Sequence, residues 1–306
     1  MVVVVDVGAR WGAAERWRSL GSDLRVIGFD PDAEECARLN DLAQQRGDEA
    51  STYVPVALGP RRQKSPLYLT KHPACSSIYP PVSALIDHYP ALADIAVEQE
   101  VTVELVSLDE WCDENGVESV DVLKLDTQGS ELGILQGAVQ RLATCLLIES
   151  EVEFNPLYVG QPLFGDVDAF LRTQGFVLWR IDNLMHYTDD HVLPRLDGSV
   201  TVNSDSRATS VRIGGGQLFW ADAFWVRGDL LEPGLDEETR TLAFRVARAA
   251  GFSDLAARLD PTEAPELLAE ARNARKARRK ARRAALEAQE VPQPSPPRRR
   301  AGAARR

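Results

Sequence analysis

Glycines and carboxylates follow two strand-like segments at the start of the chain. Residues 6–12 read DVGARWG, which places Asp6 at the end of an apolar run and Gly8 and Gly12 in the turn after it. Asp30 ends the next apolar segment, about 20 residues beyond the turn, and at that offset a carboxylate can bind both hydroxyls of a ribose. The two features together predict a site for an adenosine-type ligand. For either feature alone, an ordinary strand, turn and helix with a capping aspartate is the alternative.

The spacing of these glycines differs from the GxGxxG pattern, in which a helix N-terminus holds a diphosphate. Asp6 beside the turn suits a ligand that carries positive groups rather than a diphosphate. The missing GxGxxG pattern therefore counts against a nicotinamide-dependent oxidoreductase, which we keep as the weaker enzyme hypothesis for this chain.

A further carboxylate follows a buried strand in the middle of the chain. Residues 122–132 read VLKLDTQGSEL, so that Asp126 ends the strand and Glu131 lies in the first turn of the next helix. Ligands of open α/β sheets bind at the carboxyl ends of the strands. We therefore expect Asp126 in the same crevice as Gly8, where it could orient a substrate or take up its proton. For Glu131 the alternative is an ordinary acidic residue near a helix N-terminus.

Three glutamates, Glu149, Glu151 and Glu153, alternate along the following strand and its extension. Alternation places all three on one face of an extended chain. Together with Asp126 they could hold a divalent cation, since hard cations choose carboxylate oxygens. An acidic rim around a pocket explains the same spacing, and we assign no metal ligand from the sequence.

Strand-like and helix-like segments alternate over the first 182 residues, a pattern typical of an open, doubly wound, mostly parallel sheet. Residues 60–100 are expected to be less regular, because Pro73, Pro80, Pro81 and Pro90 break any long element there. Residues 130–142 are expected to form one helix. The strands are expected at 2–7, 25–30, 52–58, 101–108, 120–126, 146–149, 176–181 and 219–226.

Composition limits the class of protein. The 306 residues are 44% hydrophobic, enough for a full core, and no apolar run is long enough to cross a bilayer. The four cysteines are widely spaced, which indicates reduced thiols and a cytoplasmic protein. We predict a catalytic domain over 1–228, a helical extension over 235–290 and a disordered tail rich in proline and arginine over 291–306.

The net charge of −11 is divided unevenly along the chain. Residues 272–306 carry 13 Lys/Arg and two acidic residues, whereas residues 1–271 carry a net charge of −22. An acidic body makes a nucleic-acid groove on the main domain unlikely. The basic segment could dock on an acidic surface, on nucleic acid or on anionic lipid, or could be a solvated appendage.

Several motifs resemble one known family. Residues 122–132 together with LQGA at 135–138 are similar to the K-(I/L)-D-x-(E/Q)-G-x-E…L-x-G-A signature of the FkbM-type methyltransferases, and the resemblance extends to VSLDEW at 106–111 and NPLYVGQ at 155–161. The resemblance covers roughly residues 1–182. At position 10 the family commonly has Asn where this chain has Arg10. The family usually carries residues ahead of the first strand that help to close the cofactor site, whereas this chain begins directly on that strand. We therefore expect either that the cofactor site is open on this face or that the given start lies too far downstream.

The resemblance implies a class I methyltransferase fold, an α/β Rossmann-like sheet of seven strands in the order 3-2-1-4-5-7-6 with strand seven antiparallel. It implies the cofactor S-adenosyl-L-methionine (SAM) and methyl transfer to a hydroxyl of a small metabolite or a glycan. The alternative is a non-catalytic protein with this fold that acts through its basic C-terminal segment on RNA, anionic lipid or an acidic protein.

The resemblance also implies roles for particular residues. Asp126 and Glu131 would be catalytic, and residues 72–79, HPACSSIY, resemble a family segment at the mouth of the site. The residues implied to bind the cofactor are Asp6, Gly8, Gly12, Asp30, Ser76 and Ser77.

Overall fold

The computed structural model describes residues 1–187, 198–204, 207–213, 216–270, 272–273 and 276. The strands are β1 (Val2–Val7), β2 (Leu24–Phe29), β3 (Ser51–Val54), β4 (Ala57–Leu58), β5 (Gln63–Thr70), β6 (Val97–Val106), β7 (Val122–Leu125), β8 (Leu147–Glu153), β9 (Phe176–Tyr187), β10 (Gly198–Ser204), β11 (Arg207–Ile213) and β12 (Gln217–Arg227). The α-helices are α1 (Ala33–Gln45), α2 (Ser83–His88), α3 (Leu108–Glu114), α4 (Glu131–Gln136), α5 (Val139–Leu142), α6 (Phe164–Thr173), α7 (Glu237–Ala249) and α8 (Ser253–Leu259). Short 3-10 helices lie at Glu15–Asp23, Pro73–Cys75, Pro90–Ile95, Gly228–Leu231 and Pro261–Glu263.

Seven strands form the main sheet in the order β3-β2-β1-β7-β8-β12-β9. Numbered along the chain within this sheet alone, the order is 3-2-1-4-5-7-6. β12 runs antiparallel to both of its neighbours, and the other adjacent pairs are parallel. The predicted class I methyltransferase sheet is confirmed, including the expected seventh strand near Phe219–Val226.

The centre of the sheet is built from β-branched residues that are buried on both faces. Every residue of β1 is buried, as expected for a strand covered on both sides. β1 pairs with β2 and β7, so Asp6 lies in register with Gly28 on one side and with Lys124 on the other. The strand ends that carry the predicted site are therefore adjacent in space.

The segment 60–100 is more regular than its prolines suggested. β5 pairs antiparallel with β6, and β4 completes a separate three-stranded sheet in the order β4-β6-β5. Pro66 is accommodated because β5 is an edge strand, where a missing amide N–H breaks no central ladder. β6 begins at Val97, ahead of the predicted start, because Val97, Gln99 and Glu100 pair with the end of β5.

The single helix expected over 130–142 is divided into α4 and α5 at Gly137 and Ala138. The division results from contacts that are distant in sequence. The Asp109 amide donates to the Gly137 carbonyl at 3.0 Å, and the Asp109 carboxylate accepts from the amides of Gln140 and Arg141 at 2.8 and 3.0 Å. α5 therefore has a cap of its own, supplied by α3.

Two other expectations concern the second half of the chain. The polar stretch ahead of β12 contains the antiparallel pair β10 and β11. Residues 1–252 form one compact unit, which includes α7, and a second unit begins at Ser253. In the second unit residues 264–270 are helical, and the tail 291–306 lies outside the described residues. The division of the chain into domains at residues 228 and 235 stays a prediction.

None of the helices in the described residues is long and apolar enough to cross a membrane.

Candidate active site

A cavity of about 640 Å³ lies at the carboxyl ends of β1, β2 and β7. Its walls include backbone from the first glycine turn, the apolar side of β5 and β6, and the loop after β7. Five of the residues selected from the sequence line it: Gly8, Asp30, Ser76, Ser77 and Asp126. Asp6, Gly12 and Glu131 do not line the cavity. They lie behind the lining residues and contact the segments that carry them.

Gly8 is required by its surroundings. Its φ of 82° is in the left-handed region, and a Cβ at this position would lie 1.9 Å from the Asp126 carbonyl oxygen. The amides of Gly8 and Ala9 both donate to the Phe29 carbonyl, at 2.9 and 3.0 Å. The first turn is thereby packed against the ends of two neighbouring strands. Gly12 belongs to the same turn but lies outside the cavity. A Cβ at this position would lie 3.2 Å from the Tyr53 hydroxyl, so the close packing against Tyr53 favours glycine.

Asp30 presents its carboxylate to the cavity from the end of β2. The side chain is buried, and this burial raises the pKa of Asp30 against the opposing effect of the Asp32 amide, which donates to Oδ1 at 2.8 Å. Arg10 approaches Asp30 to 3.9 Å and binds Asp32 at 2.9 Å. The residue that departs from the family's usual Asn thus lies in the cavity wall and favours the charged form of Asp30.

Asp6 lies beneath the turn and is paired with Lys124. Their Oδ1 and Nζ atoms are 3.2 Å apart, and burial raises the pKa of Asp6 although Lys124 opposes this effect. Burial lowers the pKa of Lys124, but the carboxylates of Asp6, Asp126 and Glu149 outweigh it, so the net shift is upward. Lys124 also lies 3.9 Å from Asp126, so it links the support of the turn to the carboxylate in the cavity.

Ser76 and Ser77 line the cavity next to Asp126, but their hydroxyls also bind protein groups. Ser76 Oγ accepts from the Thr70 amide at 3.2 Å. Ser77 Oγ donates to the Gln128 carbonyl at 2.6 Å and accepts from the Tyr79 amide at 3.0 Å. The segment after β5 is thereby joined to the loop that follows β7.

The Asp126 side chain is 41% exposed, which leaves room for a ligand to reach its carboxylate. Glu131, in contrast, is buried and faces the backbone of its own loop. Its Oε1 accepts from the Thr127 amide and hydroxyl at 2.8 and 2.9 Å and from the Gly129 amide at 3.2 Å. Glu131 therefore fixes the loop that presents Asp126.

Gln128 and Tyr158 contribute to this site but were given no role from the sequence, whereas Glu151 was one of the three alternating glutamates. Gln128 lines the cavity with φ of 58°, and its side chain contacts Asp126, Glu151 and Tyr158. The signal was present in the motif DTQG, where Gln128 stands at the variable E/Q position. Which groups its amide would meet depends on residues 23 and 30 positions further along the chain.

The three alternating glutamates have different environments. Glu149 forms an ion pair with Arg16, and Glu151 binds Gln128. Glu153 is buried, and its Oε1 has no hydrogen-bond partner among the described residues. No group of three or more His, Cys, Asp or Glu in the described part of the chain is arranged to hold a metal ion.

A family model described as the methyltransferase FkbM domain matches residues 6–178. The chain belongs to the FkbM methyltransferase family. Its similarity extends to the 2-O-methyltransferase NoeI of Sinorhizobium fredii (strain NBRC 101917 / NGR234), which is 27% identical over 183 residues, or 54% of this chain and 70% of that protein.

The solved structures that align with this FkbM-family chain are more distant from it in sequence. Methyltransferase FkbM from Methylobacillus flagellatus KT aligns with a TM-score of 0.38 at 14% identity and covers 74% of this chain; the chain spans only 43% of that structure. Magnesium protoporphyrin IX methyltransferase (ChlM) from Synechocystis PCC 6803 with bound SAM aligns with a TM-score of 0.32 at 12% identity, covering 74% and 70% of the two chains.

Proposed function

We propose that this chain is a SAM-dependent O-methyltransferase that acts on a hydroxyl of a small metabolite or a glycan. The observation that carries the proposal is that Asp30 and Asp126 line one cavity, on either side of the Gly8 turn. This arrangement provides a carboxylate for a ribose at one end and a carboxylate for the reacting groups at the other.

The residues of the cavity fit SAM. Phe29, Val56 and Leu58 provide an apolar wall for the adenine, and Asp30 is placed to bind the ribose hydroxyls. Gly8 allows the turn to pass close to the ligand, and Asp126 favours the positive charges of the methionine part. When bound, SAM would supply an already activated methyl group.

Alignment of the acceptor is then the main task of the protein. Asp126 is sufficiently exposed to accept a hydrogen bond from an acceptor hydroxyl and to take up its proton. Glu131 does not reach the cavity, so we propose that it acts by holding the 127–129 loop. Ser76 and Ser77 would contact the ligand with the lone pairs that their protein contacts leave free.

Two considerations support oxygen as the methyl acceptor. The relative NoeI is named a 2-O-methyltransferase. The acceptor side of the site is acidic, with Asp126 and Glu151 both bound to Gln128, and carboxylates accept the hydrogen bonds that hydroxyl groups donate. The non-catalytic alternative is not favoured, because the chain belongs to a methyltransferase family and Asp30 and Asp126 line one cavity.

We place the reaction in the cytoplasm, because all four cysteines are free thiols. The net charge of −22 on residues 1–271 argues for a small-molecule or glycan acceptor rather than nucleic acid. The basic residues from 272 onward would dock on an acidic surface.

Titration of S-adenosylhomocysteine (SAH) and SAM into the full-length protein tests the cofactor assignment. We expect micromolar binding, and a loss of at least about tenfold in Asp30→Ala, the size expected when a polar contact to a ligand is removed. Asp41→Ala, an exposed aspartate of α1, is the matched control and should bind like the wild type.

Absence of binding in the wild type would end the SAM assignment, and equal binding by both variants would end the assignment of Asp30. If SAH binds, hydroxylated metabolites and oligosaccharides can be screened for transfer of a labelled methyl group. Product structures with the methyl on nitrogen or carbon would contradict the O-directed reaction.

A further inference from the structure

One side-chain amide joins the two carboxylates on the acceptor side of the site. Gln128 Nε2 lies 3.1 Å from Asp126 Oδ1 and 2.9 Å from Glu151 Oε1. The two acids belong to the adjacent parallel strands β7 and β8 and their extensions, where unscreened carboxylates would repel each other. An amide nitrogen has two hydrogens, so Gln128 can donate one to each carboxylate.

The backbone of Gln128 is held in a conformation that few residues adopt. Gln128 and Asn183 are the two non-glycine residues with positive φ in the described part of the chain. Such a conformation costs about 1–3 kcal/mol and persists where the surrounding structure requires it. The Gln128 carbonyl accepts from Ser77 Oγ at 2.6 Å, which fixes the turn and directs the side chain towards the acids.

The other end of the amide is also occupied. Tyr158 Oη lies 3.0 Å from Gln128 Oε1 and 2.8 Å from the Cys75 carbonyl. Reversal of the amide would turn Oε1 towards the two carboxylates, which is favourable only if one of them carries a proton. In the orientation shown, the amide donates to both carboxylates and therefore stabilises their charged forms.

Charged groups surround Glu151 on several elements. Asp126 from the loop after β7, Glu153 from β8, Asp222 from β12 and Glu131 from α4 all face it, and Lys124 balances Asp126 at 3.9 Å. Burial, followed by the charge of Asp126, raises the pKa of Glu151 well above its ordinary value. The amide hydrogen from Gln128 acts in the opposite direction, because a hydrogen bond to the charged form stabilises it.

We infer that Gln128 is a positioning residue that bridges Asp126 and Glu151 with one hydrogen to each, stabilises the charged forms of both, and so keeps Glu151 beside Asp126 as a second carboxylate for the acceptor's proton. This inference rests on the proposed function for its purpose, but the pairing itself is a property of the chain without any ligand. It can therefore be tested with no cofactor and no acceptor present.

The test compares thermal unfolding of full-length wild type, Gln128→Leu, Glu151→Gln and the double variant at pH 5 and pH 8. Leucine keeps the size of the side chain but donates no hydrogen bond. We expect Gln128→Leu to lower Tm by about 3 °C more at pH 8 than at pH 5, because two unbridged carboxylates must then be charged side by side. In the Glu151→Gln background this extra loss at pH 8 should disappear.

Gln128→Glu keeps the inference testable if the leucine variant folds poorly. Its added carboxyl can be neutral at pH 5 but adds a third negative charge at pH 8, so its loss of Tm should be larger at pH 8 than that of Gln128→Leu. Gln174→Leu is the matched control, because among the described residues its side-chain amide has one hydrogen bond, to the Thr173 hydroxyl at 3.2 Å. Its effect on Tm should be the same at both pH values.

An equal loss of Tm at pH 5 and pH 8 in Gln128→Leu would overturn the inference, as would an extra loss at pH 8 that persists in Glu151→Gln. Failure of SAH binding would remove the proposed function and leave this result untouched. A positive pairing result without SAH binding would show that the two carboxylates are coupled for another purpose.

Discussion

At the scale of single residues, the shape of the site depends on residues that fix the backbone around the cavity through their contacts. Gly8 and Glu131 both come from recognisable motifs, but neither acts through a group of its own in the cavity. Gly8 is needed because the Asp126 carbonyl occupies the place of a Cβ, and Glu131 because three donors of the 127–129 loop converge on one of its oxygens.

Gly8→Ala tests this view of the turn. The added methyl would meet the Asp126 carbonyl at 1.9 Å, and alanine also disfavours the positive φ. We expect the free energy of unfolding to fall by more than about 2 kcal/mol and SAH binding to weaken, since Asp126 must move.

Gly160→Ala is the control for this variant, because Gly160 has a φ of 81° but no atom within 4 Å of its Cβ position. It should lose only about 1 kcal/mol, the cost of the left-handed backbone. Equal losses in chemical unfolding of the two variants would show that the backbone conformation, and not the contact with Asp126, explains the need for glycine at position 8.

At the scale of elements, the sequence predicts most reliably what is determined locally. The run VVVV in β1 indicates a buried strand, and the alternation of strands with helices indicates a doubly wound sheet. The order of the strands was implied by the family resemblance and not by the alternation. The division between α4 and α5 could not be predicted, since it depends on Asp109 and on the Gly59 carbonyl, which lies 2.3 Å from a Cβ position at Gly137. β5 was missed because a half-exposed edge strand that contains proline lacks a clear apolar pattern.

The pair of Asp6 and Lys124 links β1 to β7 and gives a prediction at this scale. Lys124→Met leaves Asp6 buried without its partner, so we expect a loss of about 3–5 kcal/mol in the free energy of unfolding. Asp6→Asn/Lys124→Met removes both charges and should recover part of this loss. Urea unfolding of the two variants measures the difference, and a double variant no more stable than Lys124→Met would contradict a charge-based role for the pair.

At the scale of the whole molecule, the site brings together carboxyl groups from four strands. The sequence could indicate an acidic rim from Glu149, Glu151 and Glu153, but it could not show that Asp222 of β12 joins them, because that depends on the antiparallel register with β8. Burial, opposed by the Asn183 amide and reinforced by Asp126, raises the pKa of Asp222 to about 6.

This concentration of acids predicts how stability depends on pH. A carboxyl whose folded pKa is raised binds more protons in the folded state than in the unfolded one, so stability falls as pH rises between the two values. For Asp222 this interval runs from about 3.9, the ordinary value, to about 6. We therefore expect a higher Tm at pH 5 than at pH 8 by calorimetry, and a smaller difference in Asp222→Asn. A Tm that rises from pH 5 to pH 8 would contradict this assignment.

The contact between Gly8 and the Asp126 carbonyl also limits how the enzyme can be redesigned. Because the proposed cofactor side and the proposed acceptor side share this contact, a library that varies residues 6–12 or 126–131 would change both sides at once, and we expect it to yield mostly inactive clones. Variation at the far end of the sheet, along the ends of β9 and β12, leaves the contact intact. New acceptor preferences should therefore be sought there, with the first turn kept as it is.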